Sequence, residues 1–393
     1  MDRCCGAEMT RRDLLRWTVL GAAAWVSWPV LGIEAAPAAA TQRAGGVPAT
    51  AVARLPEWIQ RHAARKDKPW ALMHAVRALG KGLTTDEGPA ADYLCAHFLK
   101  EKEVGGHRYL FMPGEIEGHP NTFLKTLLEA GMPLDHPFTA VGRRHTIGDL
   151  VASARKLFSF DPDLGPFHTD RDEMAWSIIA FSITTRSGRD VWENAEGREI
   201  RFRDVVAAGF STAEQASADF RAAMERGQMP SWKDRISNFT CGGTHLIYSL
   251  AVAVRYGHLG AEGRRRLHDQ LALLVWRLKA DPYLADRYYE MVDKAYPKAE
   301  GGKLYKLDAR LKFLGHAFEV LNYVRLYHLF SPSPAQQREI QNAQRLLEAV
   351  LVELQQVDMA VVRKTDTKLD KLFAGDVCHA YHGIHMVRGV NQV

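Results

Sequence analysis

The chain has 393 residues, 47% hydrophobic, 25% charged and 9% aromatic, a globular composition that excludes bulk disorder, collagen and low-complexity fibre. The 51 Lys/Arg against 46 Asp/Glu give a net charge of +5. No dense basic block accompanies that excess, which excludes a nucleic-acid footprint. Five cysteines without a C-x-x-C pair exclude a disulfide framework, a zinc ribbon and c-type haem attachment.

The N-terminus has the layout of an export signal. Arg11-Arg12-Asp13-Leu14-Leu15-Arg16 precedes an uncharged apolar run over 17–33, and Ala38-x-Ala40 offers a small-x-small cleavage site. The paired arginines resemble a twin-arginine signal, with Leu14 where Phe is commoner. The expectation is a signal over 1–40, read by the twin-arginine export machinery, and a periplasmic or secreted product. A single N-terminal anchor is the alternative, since the run approaches spanning length; cleavage would leave no stable membrane anchor. Residues 1–40 hold four Lys/Arg and four Asp/Glu, so the remainder keeps +5 and three cysteines, Cys95, Cys241 and Cys378. That number allows one disulfide at most.

Residues 41–55 read as a flexible linker, and 56–393 as one domain patterned mainly for helix. The stretch 105–148 is rich in Gly, Pro and His and reads as a long irregular insertion holding one helix, 121–130. Asp170 and Glu173 stand at capping-box spacing ahead of an apolar helix. A short strand is expected within 198–206. Cys241-Gly242-Gly243-Thr244 precedes another helix: two glycines allow close backbone approach, Thr244 reads as an N-cap, and Cys241 as a nucleophile is the lesser reading. Residues 260–280 form an amphipathic helix that opens on a solvated Arg264-Arg265-Arg266 face. Ser333 as N-cap with Pro334 at N1 starts about six further turns.

Four of the apolar helices share the pattern H-x-φ-x-x-φ, starting at His74, His245, His316 and His382, and Trp176 heads a fifth. At 100° per residue, positions +2 and +5 lie across the helix from the His. The apolar pair would pack against neighbours while each His begins an inner helix and faces a shared cavity. Alternation with other helices suits hairpins stacked around a ring. This arrangement resembles the α/α toroid of terpenoid cyclases, protein prenyltransferases and helical polysaccharide lyases, across most of 56–393. The resemblance implies an all-α toroid with an insertion and a polar central cavity. Prenyltransferases place D-x-C and Y-H ligands in separate repeats, whereas Asp376-Val-Cys378 and Tyr381-His382 share one helix here. No D-D-x-x-D or D-x-D-D signature is present.

The cavity face collects His74 and Arg77; His245, Tyr248 and Ser249; His316, Glu319 and Tyr323; and His382 and His385. The resemblance to helical lyases implies Tyr248 as acid and base, with His245 and Arg77 neutralising a uronate carboxylate. His74, His316 and Glu319 complete the catalytic set, and the substrate would be a small molecule or an anionic saccharide. A second chemistry is metal. Asp376-x-Cys378-His379-x-x-His382-x-x-His385 is the densest ligand cluster, so His379, His382 and His385 are candidate ligands for a divalent transition metal, completed by His316 or His245. A third reading is a non-catalytic ring that binds a glycan or peptide.

Overall fold

The computed structural model describes residues 50–164, 169–185, 190–231, 233–295 and 302–386. The expected signal with Arg11 and Arg12, nearly all of the linker, the side chain of Asp170, and Val387 lie outside them. The described chain is predominantly helical. In chain order the helices are α1 (Thr50–Ala53), α2 (Leu55–His62), α3 (Pro69–Leu79), α4 (Ala90–Phe98), α5 (Gly114–Glu117), α6 (Thr122–Glu129), α7 (Ile147–Leu157) and α8 (Thr169–Thr184). Then follow α9 (Phe202–Ala216), α10 (Ala218–Glu225), α11 (Thr244–Arg255), α12 (Gly260–Ala295), α13 (Gly302–Leu326), α14 (Pro334–Leu354), α15 (Met359–Thr365) and α16 (Thr367–His385). Among the described residues no helix is long and apolar enough to cross a membrane.

Local chemistry explains several boundaries. Ser333 accepts from the Gln336 N–H while Gln336 returns a bond to the Ser333 N–H, a capping box with Pro334 at N1. Thr146 and Asp149 do the same for α7. Helix α3 starts at Pro69 and stops at Gly80, whose φ of 83° ends the helical path. Helix α11 departs from expectation: its N-cap is Gly243 in the left-handed region, and Thr244 is the first helical residue.

The strands form four separate antiparallel hairpins, β1–β2 (Thr84–Thr85, Gly88–Pro89), β3–β4 (Lys100–Val104, His107–Phe111), β5–β6 (Pro137–Ala140, Arg143–Thr146) and β7–β8 (Val191–Glu193, Glu199–Arg201). The expected strand at 198–206 is therefore three residues long before α9 takes over. The 105–148 stretch is more regular than expected. It holds parts of two hairpins, α5 and α6, because its Gly residues serve the turns: Gly105 and Gly106, and Gly142, all have positive φ.

The core is helix on helix. Helix α3 packs on α16 and α6, α6 on α8, α8 on α11, α11 on α13, and α13 on α16. Helix α12 packs on α11, α13 and α14. The α13–α16 pair is held close by glycines. A Cβ on Gly383 would lie 2.8 Å from the Glu319 nitrogen, and one on Gly315 3.2 Å from Ala380. Close approach of these two backbones fixes the separation between the polar groups they carry.

Candidate functional site

Five helices each present polar residues at spacing three or four, which puts each set on one helical face. They are His74 and Arg77 on α3, Lys125 and Glu129 on α6, His245 and Tyr248 on α11, His316 and Glu319 on α13, and Asp376, His379 and His382 on α16. All are buried. Half a turn away, where the spacing predicts Val76, Ile247, Phe318 and Ile384 to be buried, the first three are buried and Ile384 is half-buried. Of the four histidines only His245 begins its helix, as the second residue of α11, while His74 is in the second turn of α3. His316 and His382 lie well inside α13 and α16, because both helices start several turns earlier, at Gly302 and Thr367.

Two carboxylates organise the cluster. Glu129 accepts from Arg77 Nε at 2.6 Å and from the Tyr248 hydroxyl at 2.6 Å, with Lys125 Nζ 3.1 Å away. Burial opposes its ionisation, but Arg77 and then Lys125 outweigh it and hold the carboxyl down at about 2. Glu319 also accepts from Arg77, and His379 and His382 aim Nδ1 at its two oxygens from 2.8 and 2.9 Å. Burial again opposes ionisation, and Arg77 and His379 keep Glu319 well below the usual carboxylate range. Burial, reinforced by Glu129, pushes the Tyr248 phenol well up.

The imidazoles gather into one aromatic core, in tilted and edge-to-face contacts. Ring centroids are 3.8 Å apart for His316–His379, 4.6 Å for His245–His316 and 5.2 Å for both His245–His379 and His74–His379. Trp176, the fifth repeat position, sits 5.1 Å from His245. Burial holds His245 and His379 well below the ordinary imidazole value, and lowers His382. Burial takes His74 down to about 3, although it donates from Nδ1 to the Trp70 carbonyl at 2.7 Å.

His316 is the exception. Its Nε2 is 3.4 Å from Asp376 Oδ1 and its Nδ1 3.8 Å from Glu319 Oε2, within ion-pair distance but outside hydrogen-bond geometry. Both ring nitrogens, and Asp376 Oδ2, are buried without a hydrogen-bond partner. Burial pushes this imidazole down, but Cys241, Asp376 and Glu319 outweigh it and hold it well above the ordinary value. Behind Asp376, Lys312 Nζ lies 3.8 Å from its carboxylate and 3.7 Å from Asp308.

Cys241 joins from the turn ahead of α11. Ligand-type atoms of Cys241, His245 and His316 all lie within 4.8 Å of one another, and so do those of His316, Glu319 and His379; either group is of a kind that can bind a metal ion. Of the metal candidates read from sequence, His379 belongs to such a group and His382 is bonded to Glu319. His385 is exposed at the end of α16 beside Tyr381 and does not join. Ser249 is buried but donates to the Leu246 carbonyl, and Tyr323 accepts from Arg255. Sequence reasoning missed Lys125 and Glu129. The sequence did not mark them: only the structure shows that every residue of the TFLKTLLE helix is buried, so that its two charged residues at i,i+4 need buried partners.

No protein-family model matches the chain, and neither does any curated protein or solved structure.

Proposed function

We propose that this chain is an exported enzyme of α/α-toroid architecture whose polar centre carries out acid–base chemistry with His245 and His316. The toroid reading is supported by the packing circuit, in which α3, α6, α8, α11, α13 and α16 each meet the next and α16 returns to α3. The single observation that carries the chemistry is the contrast between two adjacent imidazoles. His316 stands at ion-pair distance from the carboxylates of Asp376 and Glu319 with neither ring nitrogen in a hydrogen bond, and His245, 4.6 Å away, is surrounded by Trp176 and other imidazoles. Such settings push proton affinities apart, upward for His316 and downward for His245, the usual signature of an acid and a base held side by side. A uronate substrate would call on Arg77 and Tyr248. Both are engaged by Glu129, so the reading rests on the histidines and not on the lyase pattern.

Long-range ¹H–¹⁵N spectra of ¹⁵N-histidine-labelled, metal-free protein test the assignment. His316 should be doubly protonated at pH 7 and His245 neutral; both titrating together near the unperturbed value of about 6.5 would end it. A divalent transition metal in the same cluster is the second reading, favoured by the two ligand-type groups that share His316. Stoichiometric metal in untagged protein would replace the first reading by this one.

A further inference from the structure

We propose that Cys241 is a covalent nucleophile, paired with His316 and Asp376, for substrates that carry an electrophilic acyl carbon such as an ester or amide. The inference rests on the acid–base reading in that it takes His316 as the proton carrier. Three consecutive residues occupy the left-handed region, Cys241 (φ 52°), Gly242 (φ 65°) and Gly243 (φ 73°). For a residue with a Cβ this conformation is strained, and it persists only where surroundings over-determine it. They do so here. Arg277, fixed by Asp281 at 2.8 Å, donates to the Gly242 carbonyl at 2.7 Å, and the Gly242 N–H bonds Phe239 O at 2.9 Å. Gly243 packs on Ile236 so tightly that a Cβ would lie 2.4 Å from it.

The turn brings the sulfur within 4.8 Å of His316, neither of whose buried ring nitrogens makes a hydrogen bond, with Asp376 beside that ring. Cys241 is half-buried while His245 and His316 are buried, so of these three residues Cys241 is the one open to an incoming substrate. It stands just ahead of the N-terminus of α11, whose dipole favours a thiolate. A strained residue at a turn into a helix, with a base and a carboxylate behind it, is the general arrangement of an activated nucleophile. Cys95 and Cys378 are buried free thiols, both pushed up by burial, and serve as internal comparators.

In the step itself the Cys241 thiolate forms a C–S bond to the acyl carbon, and the carbonyl π pair moves to oxygen. Collapse breaks the bond to the alcohol or amine, which takes its proton from the His316 imidazolium. Water then attacks the thioester and gives its proton to His316. The acid leaves and the thiolate returns, with no oxidant or reductant required.

Iodoacetamide labelling of the native full-length protein, mapped by mass spectrometry across pH 5 to 9, tests the assignment. Cys241 should label at pH 7 about tenfold or more faster than free cysteine, while Cys95 and Cys378 stay unlabelled. His316→Asn should slow labelling at pH 6.5 by about tenfold or more, as expected when thiolate stabilisation is lost. The wild-type profile carries the result even if that variant fails to fold. A Cys241 rate no faster than that of free cysteine overturns the proposal. So does labelling that begins only after a chelator strips an ion from the sulfur. Histidine spectra of the wild-type protein separate the two readings. Ordinary thiol reactivity with His316 still protonated sinks only the nucleophile, whereas ordinary titration of both His316 and His245 sinks the acid–base centre.

Discussion

Arg77 shows how a buried charge is made tolerable at this site. Its guanidinium serves Glu129 and Glu319 at once, which a compact ammonium could not do with the same geometry. The neutral imidazoles are less well compensated, and this sets the pH response. His74 has a folded value of about 3 against 6.5 when unfolded, so between those values the unfolded chain binds a proton that the folded chain refuses. Stability from this source is complete above about pH 6.5 and falls as the pH drops toward 3. Glu129, at about 2 against 4.5, adds a second loss only below about pH 4.5. Urea midpoints should therefore decline from pH 7 to 4, and His74→Gln should flatten part of that slope. An unchanged slope in the variant would show that His74 is not the buried neutral group assigned here.

Between helices, the contact of α13 with α16 matters most, because it carries His316 and Glu319 on one side and Asp376, His379 and His382 on the other. Gly383 meets the α13 backbone itself, 2.8 Å from the Glu319 nitrogen and 3.0 Å from the Phe318 carbonyl carbon for a Cβ, and backbone cannot step aside as a side chain can. Gly383→Ala should cost roughly 1–3 kcal/mol through overpacking and lengthen the His382–Glu319 contact. Denaturation together with the His382 ring signals would read both effects. A variant as stable as the parent, with its His382 signals unmoved, would contradict the close approach. Helix periodicity made this face legible in advance. His316 and Glu319 are one turn apart, as are His379 and His382, and no rotation of a helix separates such pairs. His385 follows the same spacing yet lies outside, because α16 ends there and each further three residues turn the face by about 60°.

For the whole molecule, the export proposal is independent of the cluster and tested separately. With Arg11 and Arg12 both changed to Lys, translocation should stop while the protein folds in the cytoplasm, as detected by fractionation and immunoblotting. Undiminished export of that variant would remove the twin-arginine assignment. Passage of folded protein suits a centre whose parts come from across the chain: α3 and α16 supply His74 and His379 from opposite ends of the described residues, with rings 5.2 Å apart.

The sequence by itself determined what periodicity and local chemistry can encode: a helical chain, the caps at Ser333 and Pro334, and which residues of α3, α11, α13 and α16 share a polar face. Those features depend on neighbours within one or two turns. Which faces meet is a non-local matter, and only the tertiary structure decided it. Lys125 and Glu129 lay hidden in a stretch whose glycines and prolines belong to the turns around α6. Cys241 was marked in sequence only by its glycines and by His245 four residues on, since His316 and Asp376 arrive from α13 and α16. The strained turn that aims its sulfur is imposed by Arg277, Phe239 and Ile236 from outside the motif. Propensity alone would not put a non-glycine residue at φ 52°; packing does.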